Sequence, residues 1–262
     1  MSPKYDTVIK SAPKDYIKLK YVINSLYHLN PQPEKIYIIS PDGYLPSGTD
    51  YDNKLLSVKD ADVFPGCDRN RLIHRKNWVY QNFMSVFQNV TKENLYLDVQ
   101  SDNFFVNDIN LFEEEKPVFF ISPQHSHYHQ PYFEYSKTMF DLDRLSTDSF
   151  IIEFMMYDKT ITKDIISKYQ TFNNLYDKSC EIISPTCYMA DQELYGNWCL
   201  KYHPDRYLVQ ENVKTKLLGK HYPNNYSEQE IVEILNRKDF EEVAISLHTW
   251  GDEEFNRSKG KK

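Results

Sequence analysis

The chain has 262 residues, 40% of them hydrophobic and 15% aromatic, enough to bury a full core as one domain. Its formal net charge of −7 excludes general nucleic-acid binding, which needs a basic face. No apolar run is long enough to cross a bilayer, and residues 1–6 lack the basic-then-apolar pattern of a signal peptide, so a cytoplasmic location is expected. Cys67, Cys180, Cys187 and Cys199 form no C-x-x-C pair and no metal spacing, which fits buried thiols in a reducing compartment.

In chain order, Tyr5–Lys10 reads as a short β-branched strand, residues 11–15 as a turn, and Tyr16–Leu29 as a helix stopped by Pro31 and Pro33. Lys35–Ser40 is an apolar run too short for a helix and reads as a buried strand. Strand, helix, strand at this spacing predicts a parallel βαβ unit. A polar connection follows to about Asp62, with a short strand and turn over residues 63–66. A helix is expected over Trp78–Val90, strands over Asn94–Phe105 and Val118–Ile121, and an irregular Tyr/His-rich loop over Gln124–Phe133. Phe150–Phe154 reads as a strand, Lys159–Tyr169 and Asp191–His203 as helices, Ile231–Leu235 as part of a helix, and Val243–Leu247 as the last strand. The tail over 251–262 is charged and is expected to fray.

Several segments carry polar groups in patterns suited to chemistry. In the run Leu95–Phe105, the side chains of Asp98, Gln100 and Asp102 fall at every second position, which on a strand is one face. That pattern suits an ordinary polar face, or a carboxylate at the strand's carboxyl edge able to hold a hard divalent cation. His125, His127 and His129 alternate in a Pro/Gln/Tyr setting that favours a loop over a zinc site. Arg69, Arg71, His74, Arg75 and Lys76 precede the Trp78 helix as either a phosphate-binding group or a solvated turn. Asp191 and Glu193 open a helix, where they act as capping acids or as a general base. His248 follows an apolar strand as a metal or phosphate contact, or as a core histidine. No Gly-rich phosphate loop and no G-x-S-x-G elbow occurs, which argues against dinucleotide-binding dehydrogenases, P-loop enzymes and α/β-hydrolases.

Three segments in this order resemble a poorly characterised group of GT-A-fold glycosyltransferases. Arg75–Phe83 is similar to the group's Arg-x-Gly-Trp-Tyr-x-Gln-Gln helix start, and Leu97–Phe105 to its Asp-x-Asp strand. Asp191–Trp198, with its Glu-Leu-Tyr-Gly-Asn run, is similar to the group's Glu-x-Tyr-Gly-Asn segment. The resemblance implies an α/β fold: a single GT-A-like (Rossmann-like) domain over residues 1–250, with a mostly parallel central sheet flanked by helices. The nucleotide-sugar half would span about 1–120 and the acceptor half about 121–250.

The activity so implied is transfer of a sugar from a nucleotide-diphosphate sugar, UDP favoured over GDP, to a glycan or other hydroxyl acceptor. Mn²⁺ or Mg²⁺ would bridge the diphosphate. By this resemblance Asp102 and His248 hold the metal, with Gln100 standing where the group has an acid. Arg75 contacts the diphosphate, and Asp191 is the base of an inverting reaction with Glu193 in reserve. Ser11, Asp15 and Asp42 are nucleoside contacts by position alone, and Tyr128, Tyr132 and Tyr135 suit sugar stacking. Two other readings stay open: a degenerate relative that binds nucleotide or glycan without turnover, and an interaction protein on the same scaffold.

Overall fold

The computed structural model describes residues 3–122, 129–211, 213–221 and 224–250. Strand β1 (Tyr5–Lys10) leads through helix α1 (Tyr16–Ser25) to β2 (Ile36–Ser40) and, across a loop, to β3 (Leu55–Lys59). Helix α2 (Lys76–Phe87) precedes β4 (Leu95–Gln100), and the chain turns at Ser101–Asp102 into β5 (Asn103–Phe105). Then come β6 (Lys116–Phe120), α3 (Gln130–Phe140), β7 (Phe154–Asp158), α4 (Lys159–Ser167), α5 (Phe172–Ile182) and α6 (Asp191–Tyr202). The order closes with β8 (Leu208–Gln210), β9 (Thr215–His221), α7 (Glu228–Leu235) and β10 (Ala244–Trp250).

The central sheet has the order β7-β4-β1-β2-β3, parallel throughout except for β7. The expected βαβ unit is therefore present, and the architecture is mixed α/β with a mainly parallel sheet. The chain runs outward from β1 to β2 on one side, while β4 lies on the other. Such a reversal of strand order opens a crevice at the carboxyl ends of β1 and β4, the place where open α/β sheets bind ligands.

Both faces of the sheet are covered, as parallel strands with apolar side chains on both sides require. One face carries Val8, Tyr37, Tyr96, Met155 and Tyr157, packed against residues of α2 and α4–α6. The other carries Ile9, Ile38, Leu97, Val99 and Met156, packed against α1, β5 and β10. A smaller sheet, β9-β10-β5, continues from the turn after β4.

Several sequence expectations change. The predicted strand over 94–105 is two strands in different sheets, because the chain turns at Asp102. Phe150–Phe154 is not the strand; β7 begins at Phe154, and β10 extends through His248 where the prediction stopped at Leu247. Residues 60–63 form a helical turn where a strand start was expected at 63. Strand β3 has mostly exposed side chains and strand β9 a weak apolar pattern, and both escaped prediction. Helix α5 escaped it too although it is amphipathic, and α3 begins at Gln130, inside the segment expected as a loop through Phe133. His125, His127, Tyr128 and the tail lie outside the described residues. All four cysteines are free thiols. No described helix is long and apolar enough to cross a membrane.

Gly196 sits inside α6 because the Phe150 ring occupies the space a Cβ would fill. Gly196→Ala should cost about 1–3 kcal/mol by overpacking, seen as a lower urea midpoint at unchanged slope.

Candidate functional site

A cleft of about 360 Å³ opens at the carboxyl edge of the central sheet. Lys10 ends β1, and Ala12, Lys14 and Asp15 follow it into the cleft wall. Gln100, Ser101 and Asp102 end β4, Glu153 precedes β7, and His248 and Thr249 come from β10. Arg75, Trp78, Gln81 and Asn82 enter from the start of α2, Tyr132 from α3, and Asp191 and Gln192 from α6. A cavity of about 410 Å³ lies elsewhere, between α1 and α7. Two of the ionisable groups there are paired, His28 with Asp108 at 2.7 Å and Arg237 with Asp239 at 2.9 Å, and among the described residues no carboxylate lines it, so the cleft is the better candidate.

Backbone bonds bring two segments to the Asp102 turn. The Gln100 N–H donates to the Glu153 carbonyl at 3.1 Å, and the Leu247 N–H donates to the Asp102 carbonyl at 2.8 Å. Glu153 and His248 are thereby held beside Asp102. His248 Nε2 lies 3.4 Å from Glu153 Oε2 and 3.7 Å from Asp102 Oδ1. On the other side, Lys18 Nζ donates to Asp15 Oδ1 and to the Leu247 carbonyl, both at 2.7 Å, and approaches Asp102 Oδ2 at 3.9 Å.

Burial pushes the Asp102 carboxyl up, and the His248 charge offsets only part of that. Burial by itself would lower the His248 pKa, but the Asp102 and Glu153 carboxylates raise it to about 9. Glu153 is pushed up by burial, yet the charge of His248 holds it below the ordinary carboxylate value. Two non-glycine residues with positive φ, Arg75 at 43° and Glu153 at 76°, line this cleft. Such backbone costs on the order of 1–3 kcal/mol and persists where the surroundings enforce it. At Arg75 it turns the guanidinium over the Trp78 ring, 4.3 Å from the centroid, with Tyr188 at 5.7 Å.

Asp191 is the first residue of α6 and is 6% exposed. Tyr157 Oη donates to its Oδ2 at 2.9 Å. Burial and then the Asp98 carboxylate push Asp191 up to about 6, against the pull of Lys10 and hydrogen bonds with Ser85 and Tyr157. A carboxylate with this pKa can take up a proton near neutral pH.

Of the residues singled out from sequence, Asp15, Arg75, Gln100, Asp102, Asp191 and His248 meet in the cleft, joined by Tyr132. The others among the described residues do not line it. Glu193 is two residues from Asp191, roughly 200° around the helix, and points to the far side. There it is 1% exposed, accepts from Ser149 Oγ at 2.6 Å and faces His129 at 3.7 Å. Asp42 is exposed and bonded by the Tyr16 hydroxyl, and Ser11 is buried with its hydroxyl turned to the Ala12 carbonyl. Tyr135 is fully buried against Ser179 at 2.7 Å, unavailable for stacking on a sugar. Asp98 is tied to Lys10 beneath the cleft.

Sequence reasoning missed Glu153, Lys10, Lys14 and Gln192. Glu153 had a signal, as the one acid inside the apolar run Phe150–Phe154. Lys10 had another, as a lysine ending a buried strand.

For a divalent cation, the Asp102 carboxylate suits Mn²⁺ or Mg²⁺, whereas the His248 imidazole suits softer cations than Mg²⁺ and would ligate only after giving up its proton. Among the described residues no three His, Cys, Asp or Glu side chains are disposed to hold a metal ion unaided. The Asp102 carboxylate suffices only for a cation whose remaining positions are filled by water and ligand phosphates, which is how Mg²⁺ is commonly bound. No family model matches this chain, and no curated protein matches it in sequence.

The raised Asp191 pKa has a consequence for stability. The fold prefers its protonated form, so this contribution is complete below about pH 4 and is lost as pH rises through about 6. Relative to Asp191→Asn, the wild-type protein should lose up to about 3 kcal/mol between those limits and then level off. Paired urea titrations from pH 4 to 8 check this.

Proposed function

We propose that the chain is a nucleotide-sugar-dependent glycosyltransferase of GT-A type. The observation that carries this reading is the convergence of a base, cationic side chains and an acid–histidine pair in one cleft at the carboxyl edge of a parallel sheet. Asp15 and Lys14, just after β1, lie where a nucleoside and its phosphates would reach the crevice. The Arg75 guanidinium, stacked on Trp78, offers a planar donor array to a diphosphate.

In the reaction, the acceptor hydroxyl gives its proton to an Asp191 carboxylate oxygen as its oxygen bonds the anomeric carbon. The bond from that carbon to the diphosphate breaks, and the electron pair leaves with the phosphate. General-base help of this kind is worth about 10²–10⁴-fold. Arg75 and Lys14 stabilise the charge that develops on the leaving diphosphate. A divalent cation held by Asp102 and His248 would, when bound, add to that neutralisation.

A second reading, nucleotide binding without turnover, is favoured by one feature. Position 100 is a neutral glutamine and Asp98 is committed to Lys10, so the strand presents one free acid, Asp102, where the resembling group has two.

Thermal unfolding with UDP or GDP, each with and without Mn²⁺, tests both. UDP with Mn²⁺ at a hundredfold excess over Kd should raise the Tm by roughly 5–10 °C, and Asp102→Ala should abolish the rise. No shift with any nucleoside diphosphate would overturn the transferase reading. A shift without donor hydrolysis or transfer would select the second one.

A further inference from the structure

The proposed chemistry has no direct use for the ion pair of Lys10 and Asp98, which is buried at and beneath the floor of the cleft. Their side chains are 2% and 0% exposed, and the ammonium contacts Asp98 Oδ1 while Asp98 Oδ2 has no hydrogen-bond partner. Removing two charges from water is expensive, and an unpaired buried carboxylate oxygen adds to the cost. The neighbouring positions show what the sheet otherwise prefers there: Val8 pairs with Asp98 on one side and Met155 on the other. A charged pair in this place calls for a reason outside the packing.

That reason lies on the same face of the sheet. Alternation along the strands puts Lys10, Asp98 and Tyr157 on the side covered by α2 and α6. Asp191 sits there at the start of α6, with the Tyr157 hydroxyl on its Oδ2. The polar and ionisable groups facing Asp191 are Lys10 from β1, Asp98 and Tyr96 from β4, Tyr157 from β7 and Ser85 from α2. Lys10, the cation among them, contacts Asp98 and acts on Asp191 only through its charge, offsetting part of the effect of burial.

We propose that Lys10, Asp98 and Tyr157 are positioning residues for Asp191, the hydroxyl fixing one carboxylate oxygen and the ion pair keeping Lys10 from neutralising it. Asp191 is left without an ion pair of its own among the described residues, and so able to accept a proton. The inference rests on Asp191 being the base of the proposed reaction, but the device itself can be measured without any substrate.

The geometry requires opposite responses from two variants. In Asp98→Asn, Lys10 loses its partner and turns to Asp191, whose carboxylate becomes a weaker base. In Tyr157→Phe, the ionised form loses its hydrogen bond and Asp191 becomes a stronger base. The test is a pH titration of carboxyl carbons by NMR on protein labelled at aspartate, the Asp191 signal being assigned by its loss in Asp191→Asn. The midpoint should fall by about one pH unit in Asp98→Asn and rise by about half a unit or more in Tyr157→Phe.

Midpoints that stay put, or that move together, would overturn the proposal. Should Asp98→Asn fail to fold, Tyr157→Phe removes a single oxygen and decides alone: no upward movement refutes it. Failure of the transferase reading would show separately, as absent nucleotide binding by a protein whose Asp191 still titrates in this way.

Discussion

The candidate site depends on the turn at Ser101–Asp102, where β4 leaves the central sheet and β5 enters the smaller one. Two backbone hydrogen bonds clamp this turn, one to the segment before β7 and one from β10. Backbone donors and acceptors at a buried strand end must find partners, and here the partners belong to segments far away in sequence. The clamp thus carries Glu153 and His248 to Asp102 as a by-product of satisfying the sheet edge. Displacing either strand would leave peptide groups unpaired as well as separate the side chains.

Charge is arranged around that clamp in two layers. At the edge, Asp15, Asp102 and Glu153 share Lys18 and His248, so that no carboxylate is buried without a cation near it. Beneath, Lys10 and Asp98 neutralise each other inside the sheet. Asp191 stands apart from both layers, with the Tyr157 hydroxyl on one oxygen, and burial followed by the Asp98 charge pushes its pKa up. The aromatic wall works differently. Trp78, Tyr132 and Tyr188 pack on one another and present a ring to Arg75, which orients the guanidinium without neutralising it.

Much of the frame was legible in the chain. Short apolar runs such as Ile36–Ser40, and the helical spacing that opens at Tyr16, are local signals of burial and period, and they placed the βαβ unit correctly. The acids at 102 and 191 were legible because a carboxylate next to an apolar segment stands out. Glu193 misled because its spacing from Asp191 suggests a pair, while helix geometry sends the two to opposite sides. Asp42 misled through its position after a strand, since the loop carries it outward to the Tyr16 hydroxyl. Glu153 was hidden because the strand it seemed to occupy begins one residue later, and its φ of 76° is no part of any sequence pattern.

The sequence by itself determined the alternation of elements, the apolar faces and the acids at strand and helix ends, because these follow from periodicity and propensity over a few residues. Which acids share a cleft was decided only by the tertiary structure. Asp15, Asp102, Glu153 and His248 are separated by dozens of residues, and Asp98 and Asp102 fall on one face of a single predicted strand. What separates them is that Lys10 reaches Asp98 in the sheet interior, while the chain turns at Asp102 and leaves its carboxylate at the edge. Pairing across strands distant in sequence makes that distinction, and no local rule contains it.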